Sequence, residues 1–221
     1  MTISVDPSQE RYLEEELILV DENDVPIGTA TKRAAHLIAS MQLHRAFSLF
    51  LFDSNNRLLM QKRAPNKATF PEIWANTCCS HPLDVTNEKN GHSGVVNAIH
   101  RKLQHELGIR SGTLCNSMMF PLTRILYKAH SNEYWGEHEL DHCVIGFSDN
   151  VDPYPNPTEV CDTRWVSKRE LQEEMEKEDP RGSVFAPWFR HVCEAVLFNI
   201  WDDLSTSTVS RFADDQIHRF E

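Results

Sequence analysis

Apolar residues along this chain come in short runs separated by clusters of Asp, Asn, Ser, Gly and Pro. Residues 17–20 (LILV) are apolar, 21–26 (DENDVP) turn the chain and 27–30 (IGTA) resume it, which predicts a β-hairpin. The strongest strand pattern is 43–53 (LHRAFSLFLFD), with His44, Ala46, Ser48 and Phe50 on one face. Ser54-Asn55-Asn56 turns it and 57–63 (RLLMQKR) returns, a second expected hairpin. Val95 or Val96, Ile99, Leu103 and Leu107 recur every four residues, predicting a helix over 93–107 that Gly108 stops. Strands are expected at 122–129, 137–147 and 161–166, and the proline-rich segment 152–157 reads as a surface connector. Ser167 and Glu170 make a capping box that opens a charged helix to about residue 176. Pro187 starts a further helix with Trp188, Val192, Val196 and Ile200 along one face. Segment 33–41, which contains His36, fits neither period. Strands and helices thus alternate, predicting a single α/β domain built on a mixed sheet, over residues 15–203. A flexible arm (1–14) is expected before it, and a polar tail prone to fraying (204–221) after it.

Composition narrows the function. The net charge is −11, from 33 acidic and 22 basic residues, a field that repels nucleic acid and anionic membrane. An anionic ligand would need a local cationic pocket or a metal to overcome it. No apolar run approaches the ~20 residues of a membrane span, and the acidic N-terminus lacks the pattern of a secretory or mitochondrial leader. The six cysteines are scattered and none forms a CxxC pair, so reduced thiols and a cytosolic setting are expected.

Two stretches concentrate chemistry. In Trp74-Ala75-Asn76-Thr77-Cys78-Cys79-Ser80-His81-Pro82, an extended backbone puts Cys79 and His81 on one face and Cys78 on the other. That geometry suits a reactive thiol beside a metal-bound imidazole, and equally a buried thiol pair in a proline-bounded loop. In Trp135-Gly136-Glu137-His138-Glu139, a strand presents both carboxylates to one side, where a cation would relieve their repulsion. With His36, His44 and His81 they would form a mixed N/O set suited to Zn²⁺, Mn²⁺ or Mg²⁺.

The order and spacing of NTCCSHP, YWGEHE and APWF, with the LHRAFSLFLF strand, closely resembles the type I isopentenyl-diphosphate isomerase family. The likeness runs from about residue 17 to 203 and implies a Nudix-like α/β/α sandwich around a mixed sheet. By that resemblance the family's reactive thiol matches Cys79, and its metal ligands match His36, His44, His81, Glu137 and Glu139. Its catalytic glutamate matches Glu139, and its active-site tyrosine and tryptophan match Tyr127 and Trp188. The diphosphate contacts correspond to Arg63, Lys67 and Lys102, and the glutamate holding a substrate-associated Mg²⁺ corresponds to Glu106.

The Nudix signature itself, G-x5-E-x7-R-E-U-x-E-E-x-G-U with U aliphatic, is eroded. Arg101, Leu103, Glu106, Gly108 and Ile109 fit, while Asn87, Ser93, Lys102 and His105 replace its glycine and three glutamates. Losing three carboxylates removes most of the Mg²⁺ site that diphosphate hydrolysis needs. The resemblance therefore implies an isomerase that interconverts isopentenyl and dimethylallyl diphosphates in isoprenoid biosynthesis, with a Nudix-type hydrolase as the alternative. A non-catalytic prenyl-diphosphate-binding module and a cysteine hydrolase are further readings; no pattern places a base and an oxyanion hole around Cys79. The expected chemistry is proton addition and removal by Cys79 and Glu139, with Trp188 facing the cationic centre and nearby cations drawing Cys79 toward thiolate. Which of the two groups protonates stays open. A monomer acting on a small prenyl diphosphate is expected.

Overall fold

The structure is a computed structural model that describes residues 5–177 and 184–220. Its organising strand is β3 (His44–Phe52), buried at all nine positions. Such continuous burial requires cover on both faces and both edges, and β3 has it. On one edge it runs parallel to β8 (Gly136–Phe147), which hairpins with β7 (Met119–His130). Along the other edge lie β6 (Cys78–Ser80) and the start of β4 (Leu58–Arg63), both antiparallel. The hairpin β1 (Glu16–Val20) and β2 (Pro26–Thr31) joins at Leu19 opposite His44, while β4 pairs with β5 (Trp74–Ala75) and β9 (Val160–Val166).

Alternation along β3 builds two cores. Phe47, Leu49 and Leu51 face α3 (Gly91–Leu107) and its buried Val95, Ile99, Leu103 and Leu107. Phe50 and Phe52 face α4 (Lys168–Lys177) and α5 (Pro187–Val192), through Leu171, Trp188, Phe189 and Val192. The result is the expected α/β sandwich on a mixed sheet. Helix α5 continues through a π-turn at Cys193–Leu197, beyond which Trp201 is again buried.

Four local expectations change. The second hairpin survives only at Phe52 opposite Leu58, because β4 is drawn away to β9 and β6 takes up the edge of β3. Thr77 bridges the split: its hydroxyl accepts from the Leu51 N–H (2.9 Å) and donates to the Leu59 carbonyl (2.6 Å). Where a flexible arm was expected, Pro7–Leu13 form α1; Asp6 caps it by accepting the Ser8 N–H (2.9 Å), and Leu13 is buried. Asp6 at the cap and Pro7 at the first helical position start the helix. The ambiguous segment holds the single turn α2 (Lys32–His36), capped by the Thr31 hydroxyl. The tail folds back as β10 (Ile217–Phe220), parallel to β7 and in register from Ile217–Arg124 to Phe220–Tyr127. The edge it gains is backbone hydrogen bonding, which a polar sequence does not advertise.

Gly108 ends α3 as expected, in the left-handed region at φ +63°. A β-carbon there would lie 2.6 Å from the Tyr154 carbonyl oxygen, in the connector that stitches itself to α3 through the Tyr154 N–H and the Leu107 carbonyl. Gly108→Ala should therefore cost at least ~1 kcal/mol of stability, read as a lower urea midpoint at unchanged slope.

Candidate active site

The split beside β3 sets the site. Because β6 pairs Cys79 with Ser48 and Ser80 with Phe47, Cys79 points to the sheet face that carries Ser48, and Cys78 points to the opposite core. Cys78 is fully buried, with its sulfur 3.5 Å from Glu106 Oε2; Cys79 opens into a pocket with about 340 Å³ of empty space. Asn76 anchors the same turn to the Leu49 and Cys78 carbonyls and accepts the Trp188 indole N–H at 3.0 Å. One short polar stretch thus fixes the thiol and the indole together.

On β8 the two-residue period places Glu137 and Glu139 on that face, and β7 sets Tyr127 opposite Glu139. The Tyr127 hydroxyl lies 2.6 Å from Glu139 Oε2 and 2.9 Å from Glu137 Oε2. The other Glu139 oxygen has His81 Nε2 at 2.8 Å, His44 Nε2 at 3.4 Å and His36 Nε2 at 3.7 Å. His36 and His44 turn their Nδ1 atoms to the Lys32 and Gln42 carbonyls, both at 2.8 Å, so each ring keeps Nε2 free to act as a ligand. Those two Nε2 atoms are buried without a hydrogen-bond partner. Four ligand atoms, from His36, His44, His81 and Glu139, lie within 4.8 Å of one another. Three imidazoles and a carboxylate around a common point, two of them otherwise orphaned, fit a divalent cation. Glu137 stands beside this group, accepting from the Thr69 hydroxyl at 2.8 Å.

The electrostatics follow from burial. Desolvation pushes His36 down to about 4 and His81 well below its usual range, favouring the neutral, metal-ligating form. Burial opposes ionisation of Glu139, but its contact with His81, with the other two imidazoles close by, holds it well below the usual carboxylate range. Burial, with repulsion from Glu139, raises Glu137 to about 7. The Cys79 thiol differs from expectation. Burial raises it to about 12, and the Arg63 guanidinium, whose Nη1 is 3.7 Å from the sulfur, offsets only part of that.

The basic residues divide. Arg63 is fastened to the Phe70 and Thr69 carbonyls (2.9 and 2.8 Å) and sits 5.6 Å from the centre of the Trp188 ring. Lys67 reaches the pocket while paired with Glu159 at 2.6 Å. Lys102 is turned toward Glu106 (3.0 Å) and His105 (3.3 Å); Glu106 lines the pocket and Lys102 does not. Three contributors were not read from the sequence: Lys32, Thr69 and Glu159. Lys32 lines the pocket one helical turn before His36, a spacing that signals a shared face once α2 is known to be helical. Burial, then repulsion from Lys67 and Lys102, lowers its ammonium to about 8. A wider groove of about 1080 Å³, bordered by Phe52, Phe147 and Leu204, contains none of these groups.

Known proteins resemble this chain over most of its length. The NUDIX domain model matches residues 42–189. The isopentenyl-diphosphate delta-isomerase of Schizosaccharomyces pombe is 46% identical, covering 97% of this chain and 94% of its own. Isopentenyl-diphosphate Delta-isomerase I of Camptotheca acuminata is 44% identical over 97% of this chain and 95% of its own. An Arabidopsis thaliana relative, named chloroplastic, is 43% identical over 95% and 75%. Among solved structures, DR0079 from Deinococcus radiodurans superposes with a TM-score of 0.60 over 82% of this chain and 98% of its own, at 18% identity, a likeness of fold alone. Among the described residues no helix is long and apolar enough to cross a membrane.

Proposed function

We infer the chemistry below from a fixed premise: this chain belongs to the isopentenyl-diphosphate delta-isomerase family and carries its Nudix domain. It is an isomerase that interconverts isopentenyl and dimethylallyl diphosphates. The observation that carries the mechanism is that Cys79, Glu139 and Trp188 line one small pocket together with the cations Lys32, Arg63 and Lys67.

Moving the double bond inward adds a proton to the terminal carbon and removes one from the carbon nearer the diphosphate. Protonating an unactivated alkene builds positive charge on the tertiary carbon between them. The Trp188 indole, held by Asn76 and 2% exposed, offers that centre its face, worth roughly 2 kcal/mol when desolvated. Cys79 on β6 and Glu139 on β8 exchange the protons, one giving as the other takes, and their roles reverse with reaction direction. Tyr127 holds Glu139 through its 2.6 Å contact. His36, His44, His81 and Glu139, with Glu137 alongside, hold one divalent metal, Zn²⁺, Mn²⁺ or Mg²⁺. When bound, it supplies positive charge that orients Glu139 and tunes its proton affinity. Arg63, Lys67 and Lys32, with Lys102 paired to Glu106, anchor the diphosphate, and Glu106 would hold a substrate-associated Mg²⁺.

Hydrolysis is disfavoured by α3, where Ser93, Lys102 and His105 stand in three carboxylate positions of the Nudix signature and Glu106 alone remains. In D₂O with Mg²⁺ and isopentenyl diphosphate, proton NMR should show the exomethylene signal replaced by new methyl signals carrying deuterium. Cleavage of the diphosphate with the alkene signals unchanged would replace this reading with the hydrolase.

A further inference from the structure

A buried carboxylate beside an anion-binding pocket repels the ligand, so Glu159 needs a reason. It is 2% exposed, and both of its oxygens are engaged: Oε2 by the Lys67 ammonium at 2.6 Å, Oε1 by the Gln9 side-chain amide of α1 at 2.9 Å. Its backbone is fixed as firmly. The Glu159 carbonyl accepts from the Ala64 N–H (3.0 Å), at the start of the loop that carries Lys67. Its own N–H donates to the Asn156 carbonyl, and the Asn156 N–H donates to the Glu106 carbonyl in α3, both at 2.9 Å. Glu159 therefore ties together the lysine loop, the end of α3 and α1.

We propose that Glu159 is a positioning residue of the anion-binding corner: it holds the Lys67 ammonium at the pocket, and that placement outweighs the repulsion between its own charge and the diphosphate. Lys67 shares this corner with Lys32 and Lys102, and like charges on long, flexible stems turn outward to water unless a fixed partner restrains them. With Glu159 in place the ammonium is ordered before the ligand arrives, and binding need not supply the lost side-chain freedom. The inference rests on the diphosphate reading above, and sequence pattern alone did not reveal it because the two residues are 92 positions apart.

The test compares the full-length wild type, Glu159→Gln, Lys67→Met and the double variant. Mg²⁺-pyrophosphate binding is measured by calorimetry, and kcat and KM with isopentenyl diphosphate. Glu159→Gln should raise the pyrophosphate Kd and the KM by about tenfold while kcat stays within about threefold. The double variant should bind no worse than Lys67→Met, since Glu159 acts through Lys67. Tighter binding by Glu159→Gln would mean that the carboxylate only repels the ligand, and additive losses would mean that it does not act through Lys67; either overturns the proposal. So does a lowered melting temperature with unchanged KM. Should Glu159→Gln fold poorly, Glu159→Asp keeps the charge but withdraws it from Lys67, and a wild-type KM there overturns the proposal too. Wild-type protein that ignores pyrophosphate would instead remove the diphosphate reading, and this inference with it.

Discussion

Cys79→Ala is expected to lower kcat by about 10³-fold or more, with the affinity for Mg²⁺-pyrophosphate and the metal content near wild type. The substitution removes the sulfur from one wall of the pocket and leaves the cationic corner and the histidine cluster as they are. It should also be tolerated by the fold, because Cys79, at the centre of β6, is only partly buried. Cys78→Ala is the internal control. That thiol lies in the core under α3, so its loss should cost stability rather than turnover. The resting state of Cys79 adds a second readout. Burial raises the thiol to about 12 against the pull of Arg63, so it remains protonated through the neutral range. The profile of kcat/KM should accordingly show no thiol ionisation between roughly pH 6 and 9, and alkylation by iodoacetamide at neutral pH should be slow. A Cys79→Ala enzyme within tenfold of wild type would remove the thiol from the proton-transfer steps.

That protonated thiol also marks a limit of sequence reading. Lys62, Arg63 and Lys67 advertise positive charge near Cys79, and from sequence the expectation is a depressed thiol. The magnitude of desolvation depends on what packs around the sulfur, and only the fold supplies Trp188, Arg63 and the sheet in their positions. What was legible rests on parity. Two-residue alternation correctly separates Cys79 and His81 from Cys78, and Glu137 and Glu139 from His138, because strand geometry fixes it whatever the neighbours. The four-residue stripe of α3 and its Gly108 stop are local in the same sense. What was missed depends on distant partners. Lys32 needs a one-turn helix too short to show a period, β10 needs the exposed edge of β7, and Glu159 needs Lys67 and Gln9. The separation of β4 from β3 belongs to the same class. It depends on β9, about a hundred residues later, capturing β4 and leaving room for the thiol strand.

Glu139→Gln should be at least as damaging as loss of the thiol, for two separable reasons. One Glu139 oxygen sits at the focus of the three imidazoles and the other against the Tyr127 hydroxyl. An amide preserves the shape, yet it removes a negative ligand from the cluster and leaves no group there able to accept a proton. We expect kcat to fall by about 10³–10⁴-fold and metal content, measured by inductively coupled plasma mass spectrometry, to fall with it. Glu137→Gln is the informative comparison. Its carboxylate is engaged by Thr69 and Tyr127 and raised to about 7 by burial and by Glu139, so the amide should cost less metal. Saturating metal then separates the two roles of Glu139. Restored occupancy without restored turnover is the expected result, since the proton acceptor is still missing. Recovery of turnover together with occupancy would make Glu139 a ligand only, and the proton exchange opposite Cys79 would pass to Glu137 or to Tyr127.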